Sequence, residues 1–126
     1  IHKLGIFQQV HLLGLIPKFD QVQLMRRSIG IVQPSLFEGW STLVEDARLL
    51  GKSIILSDLP VHIEQNPPHS AFFECESPEY LAKLMGEWWE KLSPGPDQQE
   101  QIAIETASIE IREFGHRFLD IARGSI

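Results

Sequence analysis

The spacing of apolar residues changes several times along the chain, and each change marks an element. Four short runs are apolar at most positions: "VHLLG" (10–14), "GIVQPS" (30–35), "SIILS" (53–57) and "AFFE" (71–74). Runs of this length and composition predict β-strands, and their near-continuous apolarity predicts strands covered on both faces. Between them the period lengthens to that of a helix. "FDQVQLMRRS" (19–28) carries Val22, Leu24 and Met25 behind Asp20 as a cap. "STLVEDARLLG" (41–51) sets Leu43, Ala47 and Leu50 at i, i+4 and i+7 and stops on Gly51, a favoured residue just past a helix end. "SPEYLAKLMGEWWEKL" (77–92) opens with Ser77 as N-cap and Pro78 at the first helical position, and its stripe is Leu81, Leu84, Met85, Trp88 and Leu92. After the breaker "SPGPD" (93–97), a last helix is predicted over 98–122. Its buried line would be Ala107, Ile111, Phe114, Phe118 and Ile121.

Strand alternating with helix predicts an α/β fold, a Rossmann-like parallel sheet flanked by helices. In such sheets ligands bind outside the carboxyl ends of the strands. The turn "PSLFEGW" (34–40) follows the second apolar run and so falls at one of those ends.

Composition narrows the classes. A chain of 126 residues, 43% hydrophobic and 22% charged, is one globular domain's worth. Eleven basic against seventeen acidic residues give a net charge of −6, which argues against a nucleic-acid surface. Arg26, Arg27 and Lys52 read as solvated faces or local anion contacts. The single cysteine, Cys75, allows no internal disulfide, so a reducing compartment is expected. His2, His11, His69 and His116 show no metal-ligand spacing, and no metal site is expected. No apolar run is long enough to span a bilayer. The first residue is Ile1, and the expectation is a piece of a longer chain.

The turn places Glu38 beside Gly39 and Trp40, with Glu45 and Asp46 in the helix that follows. Thr42 and Glu45 form T-x-x-E, a capping-box pattern in which Glu45 reaches back to the Thr42 N–H. On that helix Glu45 lies opposite the apolar stripe and suits a cap or solvent. Asp46 lies at the stripe's edge, towards the sheet and its crevice. Gly39 allows close backbone approach. Free N–H groups of Ser41, Thr42 and Leu43, with the helix dipole, make an anion site able to hold a diphosphate. Acids on either side of a phosphate site suit a ligand with both hydroxyls and phosphates, a nucleotide sugar.

The stretch "PSLFEGWSTLVEDARLLGKSIILSDLPVHIEQ", with "VHLLGLIPKFDQVQLMRRSIGIVQPS" before it, resembles the donor-binding half of retaining glycosyltransferases of the GT-B fold, family 4. That family carries a Glu, seven residues and a second Glu, then an Ala and a Gly before the next strand. Here Glu38, Asp46, Ala47 and Gly51 match those positions. The resemblance implies that Glu38 is the catalytic-site acid, binding hydroxyls of the donor sugar and orienting it without necessarily serving as a covalent nucleophile. It implies diphosphate binding by backbone groups at Ser41, Thr42 and Leu43, next to Gly39 and Trp40. Asp46 would bind the ribose, with Glu45 the other candidate, and backbone around Leu15 and Ile16 would meet the base. The substrate would be a UDP-, GDP- or ADP-sugar, with no cofactor and no metal. The partner would be an N-terminal acceptor domain of the same chain, with a glycan or lipid-linked glycan as acceptor, in the cytoplasm or at the inner face of the membrane. The helix over 98–122 would pack towards that domain, and the piece alone would be inactive. The sequence departs from the family at "WST", where a Phe-Gly-Leu-Pro type turn is commoner, and at the second acid, which is Asp.

Other readings carry less. Ser57, Asp58 and His62 invite a hydrolase triad, but no G-x-S-x-G elbow exists, and His62 reads as a loop residue or one supporting the site from behind. Met85, Trp88 and Trp89 read as packing in the core or at a domain contact, and Trp40 as packing against the sheet. A signalling α/β module would match the length and acidity but lacks its acidic pair. A nucleotide-sugar epimerase would share the donor half.

Overall fold

The structure is a computed structural model that describes residues 2–124. Three strands form a parallel sheet in the order β1-β2-β3: Ile31–Gln33, Ile54–Ser57 and Ser70–Phe73. The register pairs Ile31 with Ile54 and Ile54 with Ser70, so each step along the chain moves one strand sideways. Among the described residues five α-helices accompany them: α1 (Lys18–Arg27), α2 (Thr42–Leu49), α3 (Pro60–Gln65), α4 (Pro78–Lys91) and α5 (Gln98–Ala122).

Alternation along the strands divides the core in two. Ile54 and Leu56 point to one face, where Met25 of α1 and Val44 and Ala47 of α2 close over them. Ile55 and Phe73 point to the other, covered by Leu84 of α4 with Leu81 and Trp88 alongside. All four β2 residues are buried, as a central strand with both faces covered requires. Ser77 and Pro78 start α4 as the sequence predicts. Gly51 follows α2 at φ +61°, a conformation that disfavours any side chain. A Cβ there would lie 2.4 Å from the carbonyl oxygen of Gln99, so the start of α5 packs on the end of α2.

Several expectations are corrected. Residues 10–14 form no strand: Leu12 is 86% exposed and no ladder reaches the segment. An apolar run becomes a strand only by hydrogen bonding to a neighbour, and β1 is paired on one side alone. The line expected to be buried on α5 is largely in the open, with Ile111, Phe114, Phe118 and Ile121 exposed and Ala107 half-buried. The first turns of α5 meet α2, and the helix then runs past it. Trp40 is exposed and does not pack against the sheet; of the three expected in the core or at a domain contact, Trp88 packs in the core while Met85 and Trp89 are exposed. Asp20 lies inside α1, whose N-cap is Pro17. Arg26 and Lys52 are not on solvated faces. Arg26 Nε meets Glu100 Oε1 at 2.7 Å, and buried Lys52 donates to the Ser28 carbonyl at 2.6 Å. The stretch "DLPVHIEQ" is not a loop but holds α3, begun by Pro60 at its first position and ended by Asn66 in the left-handed region.

Candidate functional site

β1 and β2 run parallel, so Gln33 and Ser57 end them on the same edge of the sheet. The chain leaves β1 through Pro34 to Trp40 and enters α2, with Ser41 as N-cap. Leu36, Phe37 and Trp40 stand out from this turn, while Glu38 turns inward. Its Oε2 accepts hydrogen bonds from Gln33 Nε2 and Ser35 Oγ, both at 3.0 Å. Gln33 also donates to Ser35 Oγ at 3.1 Å, closing a ring of three side chains. These donors favour the ionised acid, the Gln33 amide most and the Ser35 hydroxyl next, so Glu38 titrates below the usual carboxylate range. Partial burial opposes the effect, and His62 adds to it.

Behind the acid lies a network in which sequence reasoning gave only His62 a place, as a loop or supporting residue. Ser57 Oγ donates to the Ser35 carbonyl at 2.7 Å, and His62 Nδ1 lies 2.9 Å from the Ser57 carbonyl and 3.2 Å from its hydroxyl oxygen. The Ser57 hydrogen is committed to Ser35, so Nδ1 must donate. His62 is fully buried, and its Nε2 faces Glu38 Oε2 at 4.0 Å with no hydrogen-bond partner. Asp58 turns away, accepting from the Cys75 N–H at 3.2 Å and its thiol at 3.4 Å. Burial and Asp58 hold the Cys75 thiol above its ordinary range. With Ser57 buried and Asp58 facing Cys75, the three residues are not a hydrolase triad.

Gln65, one turn after His62 on α3, ties down the start of α2. Its Nε2 donates to the Ser41 carbonyl at 2.9 Å and to Glu45 Oε1 at 2.8 Å, and its Oε1 accepts from the Ser41 N–H at 3.3 Å. The Ser41 N–H is therefore not free for an anion, contrary to expectation. The first-turn N–H groups of Thr42, Leu43 and Val44 have no acceptor within the helix. Thr42 is exposed and Leu43 half-buried against the core, while the Ser41 hydroxyl is buried without a partner. The capping box is not formed, because Thr42 is already helical and Ser41 is the cap. Glu45 instead pairs with Arg48 at 3.2 Å and with Gln65. Asp46 pairs with Lys18, the first residue of α1. That ion pair brings the end of the 15–18 segment to α2, although Leu15 is fully exposed and Ile16 only half-buried. Beside Gly39 the space is open, with nothing within 4 Å of where a Cβ would sit.

The signal for α3 was present. Pro60 starts it, and Asn66-Pro67-Pro68 ends it. A groove between α2 and α5, lined by Arg48, Gly51, His69 and Thr106, lies at the amino end of the sheet, away from this turn. Among the described residues no group of three or more His, Cys, Asp or Glu is placed to hold a metal. No helix of the described residues is long and apolar enough to cross a membrane. No protein-family model matches the chain, and comparison with curated proteins and with solved structures gives no match.

Proposed function

We propose that this chain is the donor-binding part of a retaining glycosyltransferase of the GT-B type, holding a nucleotide-diphosphate sugar at the turn between β1 and α2. The observation that carries the reading is an ionised Glu38, anchored by Gln33 and Ser35, three residues ahead of Ser41, the N-cap of α2. Three residues span at most about 10 Å, roughly the separation of a sugar's hydroxyls from its diphosphate. A carboxylate so near an anion site would repel a bare phosphate, but it gains by accepting hydrogen bonds from hydroxyls. In this scheme Glu38 orients the sugar, Thr42 and Leu43 N–H groups hold the diphosphate, and Asp46 takes the ribose. Asp46 would exchange Lys18 for ribose at small cost, since exposed ion pairs contribute about 0–1 kcal/mol. Glu45, engaged by Gln65 and Arg48, is the less available acid. The exposed apolar line on α5 suits packing against an acceptor domain of the same chain.

The test is a titration of the chain with UDP, GDP and ADP, each with and without its sugar, followed by amide NMR shifts. The expected shifts cluster at Ile16, Glu38 to Leu43 and Asp46, and the ligand that produces them names the base. Shifts centred on the α2–α5 groove instead would overturn the reading.

A further inference from the structure

We propose that His62 is the positioning residue for Glu38, holding the carboxylate through a proton carried on Nε2. The inference rests on the donor-site reading only for what Glu38 binds. The Nδ1 hydrogen is fixed on the Ser57 carbonyl at 2.9 Å, because the Ser57 hydroxyl hydrogen is already given to Ser35. That leaves Nε2 as the variable end, buried, unpartnered and 4.0 Å from Glu38 Oε2. A neutral ring would turn a buried lone pair towards a carboxylate, two acceptors facing each other on the inner side of Glu38. A proton on Nε2 resolves this: the ring becomes a cation facing an anion, and both nitrogens donate.

The surrounding charges leave Glu38 as the group this proton serves. From α2, Glu45 and Arg48 are engaged with each other and with Gln65. After β2, Asp58 takes Cys75. Gln33 and Ser35 approach Glu38 as neutral donors, so His62 supplies the positive charge to its network. The ring is too buried to touch a ligand itself. Its effect passes through the carboxylate, which it holds against the turn with one oxygen engaged, leaving Oε1 for a ligand hydroxyl.

Long-range proton–nitrogen NMR correlations of the imidazole rings, recorded on the whole chain from mildly acidic to mildly alkaline pH, test this directly. The expected result is an Nδ1 that keeps its proton throughout, held on the Ser57 carbonyl, and an Nε2 signal that differs between the unaltered chain and Glu38→Gln. Loss of the proton from Nδ1, or an Nε2 signal identical in the two chains, would overturn the proposal. A second measurement reads binding with UDP, GDP and ADP against UDP-glucose, GDP-mannose and ADP-glucose. His62→Asn keeps a donor near Ser57 but removes the Nε2 end. It should cost roughly tenfold in affinity for the sugar-bearing ligand, the scale of one hydrogen bond, with the bare nucleotide unchanged. Equal losses for both ligands would mean that His62 only maintains the fold. If no nucleotide binds the unaltered chain, the donor-site reading fails while the imidazole spectra still decide the role of His62.

Discussion

Ile54–Ser57 and Val10–Gly14 are both short and rich in aliphatic side chains, yet β2 is buried at every position while Leu12 is 86% exposed and Leu13 56%. The difference is in what lies beside them. β2 has β1 on one side and β3 on the other, with helices over both faces. Among the described residues no strand pairs with residues 10–14. Side-chain chemistry alone therefore does not make a strand; the ladder does.

The largest expected effect separates these two regions. Ile55→Ala empties a site closed from both sides and should cost about 2–5 kcal/mol in denaturant unfolding, whereas Leu12→Ser should stay within about 0.5 kcal/mol. Comparable losses would mean that the 10–14 segment packs in solution. Next comes Gly51→Ala, which forces a side chain into a left-handed position against Gln99. We expect a loss of about 1–3 kcal/mol in thermal unfolding, from backbone strain of this kind. An unchanged melting temperature would show that α5 is not seated on the end of α2. Gln65→Ala should cost about 1–2 kcal/mol, the scale of leaving a buried N–H unsatisfied, and should speed amide exchange at Ser41. Exchange at Ser41 unaltered would remove Gln65 from its role.

The smallest effect is a shift in titration. Because Gln33 is the leading cause of the lowered Glu38 pKa, Gln33→Ala should raise it more than Ser35→Ala does, as read from side-chain carboxyl shifts. The sign follows from linkage. A carboxyl depressed in the folded state lends stability above its unfolded pKa, and that stability is lost as pH falls through the folded value. Gln33→Ala should therefore flatten the acid side of the stability profile. The reverse order of the two variants would point to Ser35 as the dominant donor.

These contrasts also explain what could be read from sequence. β1, β2, β3, α1, α2, α4 and α5 were legible because each carries its own period or its own stop signals, such as Ser77-Pro78 and Gly51. The Glu38 turn was legible because its position follows from the strand before it and the helix after it. What was not legible depends on distant contacts. Whether residues 10–14 pair, and whether the apolar line of α5 is covered, is decided by what stands opposite. The partners of Glu45 and Asp46 come from α3 and α1, and helix phase alone could not name Gln65 or Lys18. α3 escaped, although Pro60 and Asn66-Pro67-Pro68 mark its ends, because six residues give too few turns to establish a period.

That short helix has a mechanical consequence. His62 and Gln65 are one turn apart on a single rigid piece, stopped at one end by Pro60 and at the other by Asn66. One residue stands behind the Glu38 carboxylate, and the other grips the first residues of α2. α3 therefore acts as a ruler, setting the gap between acid and helix end by the rise of three helical residues, about 4.5 Å. Wear on the exposed outer surface of α3 would leave this gauge intact. An inserted or deleted residue between positions 62 and 65 would swing one grip about 100° away from the other, and the two halves of the turn would lose their common calibration.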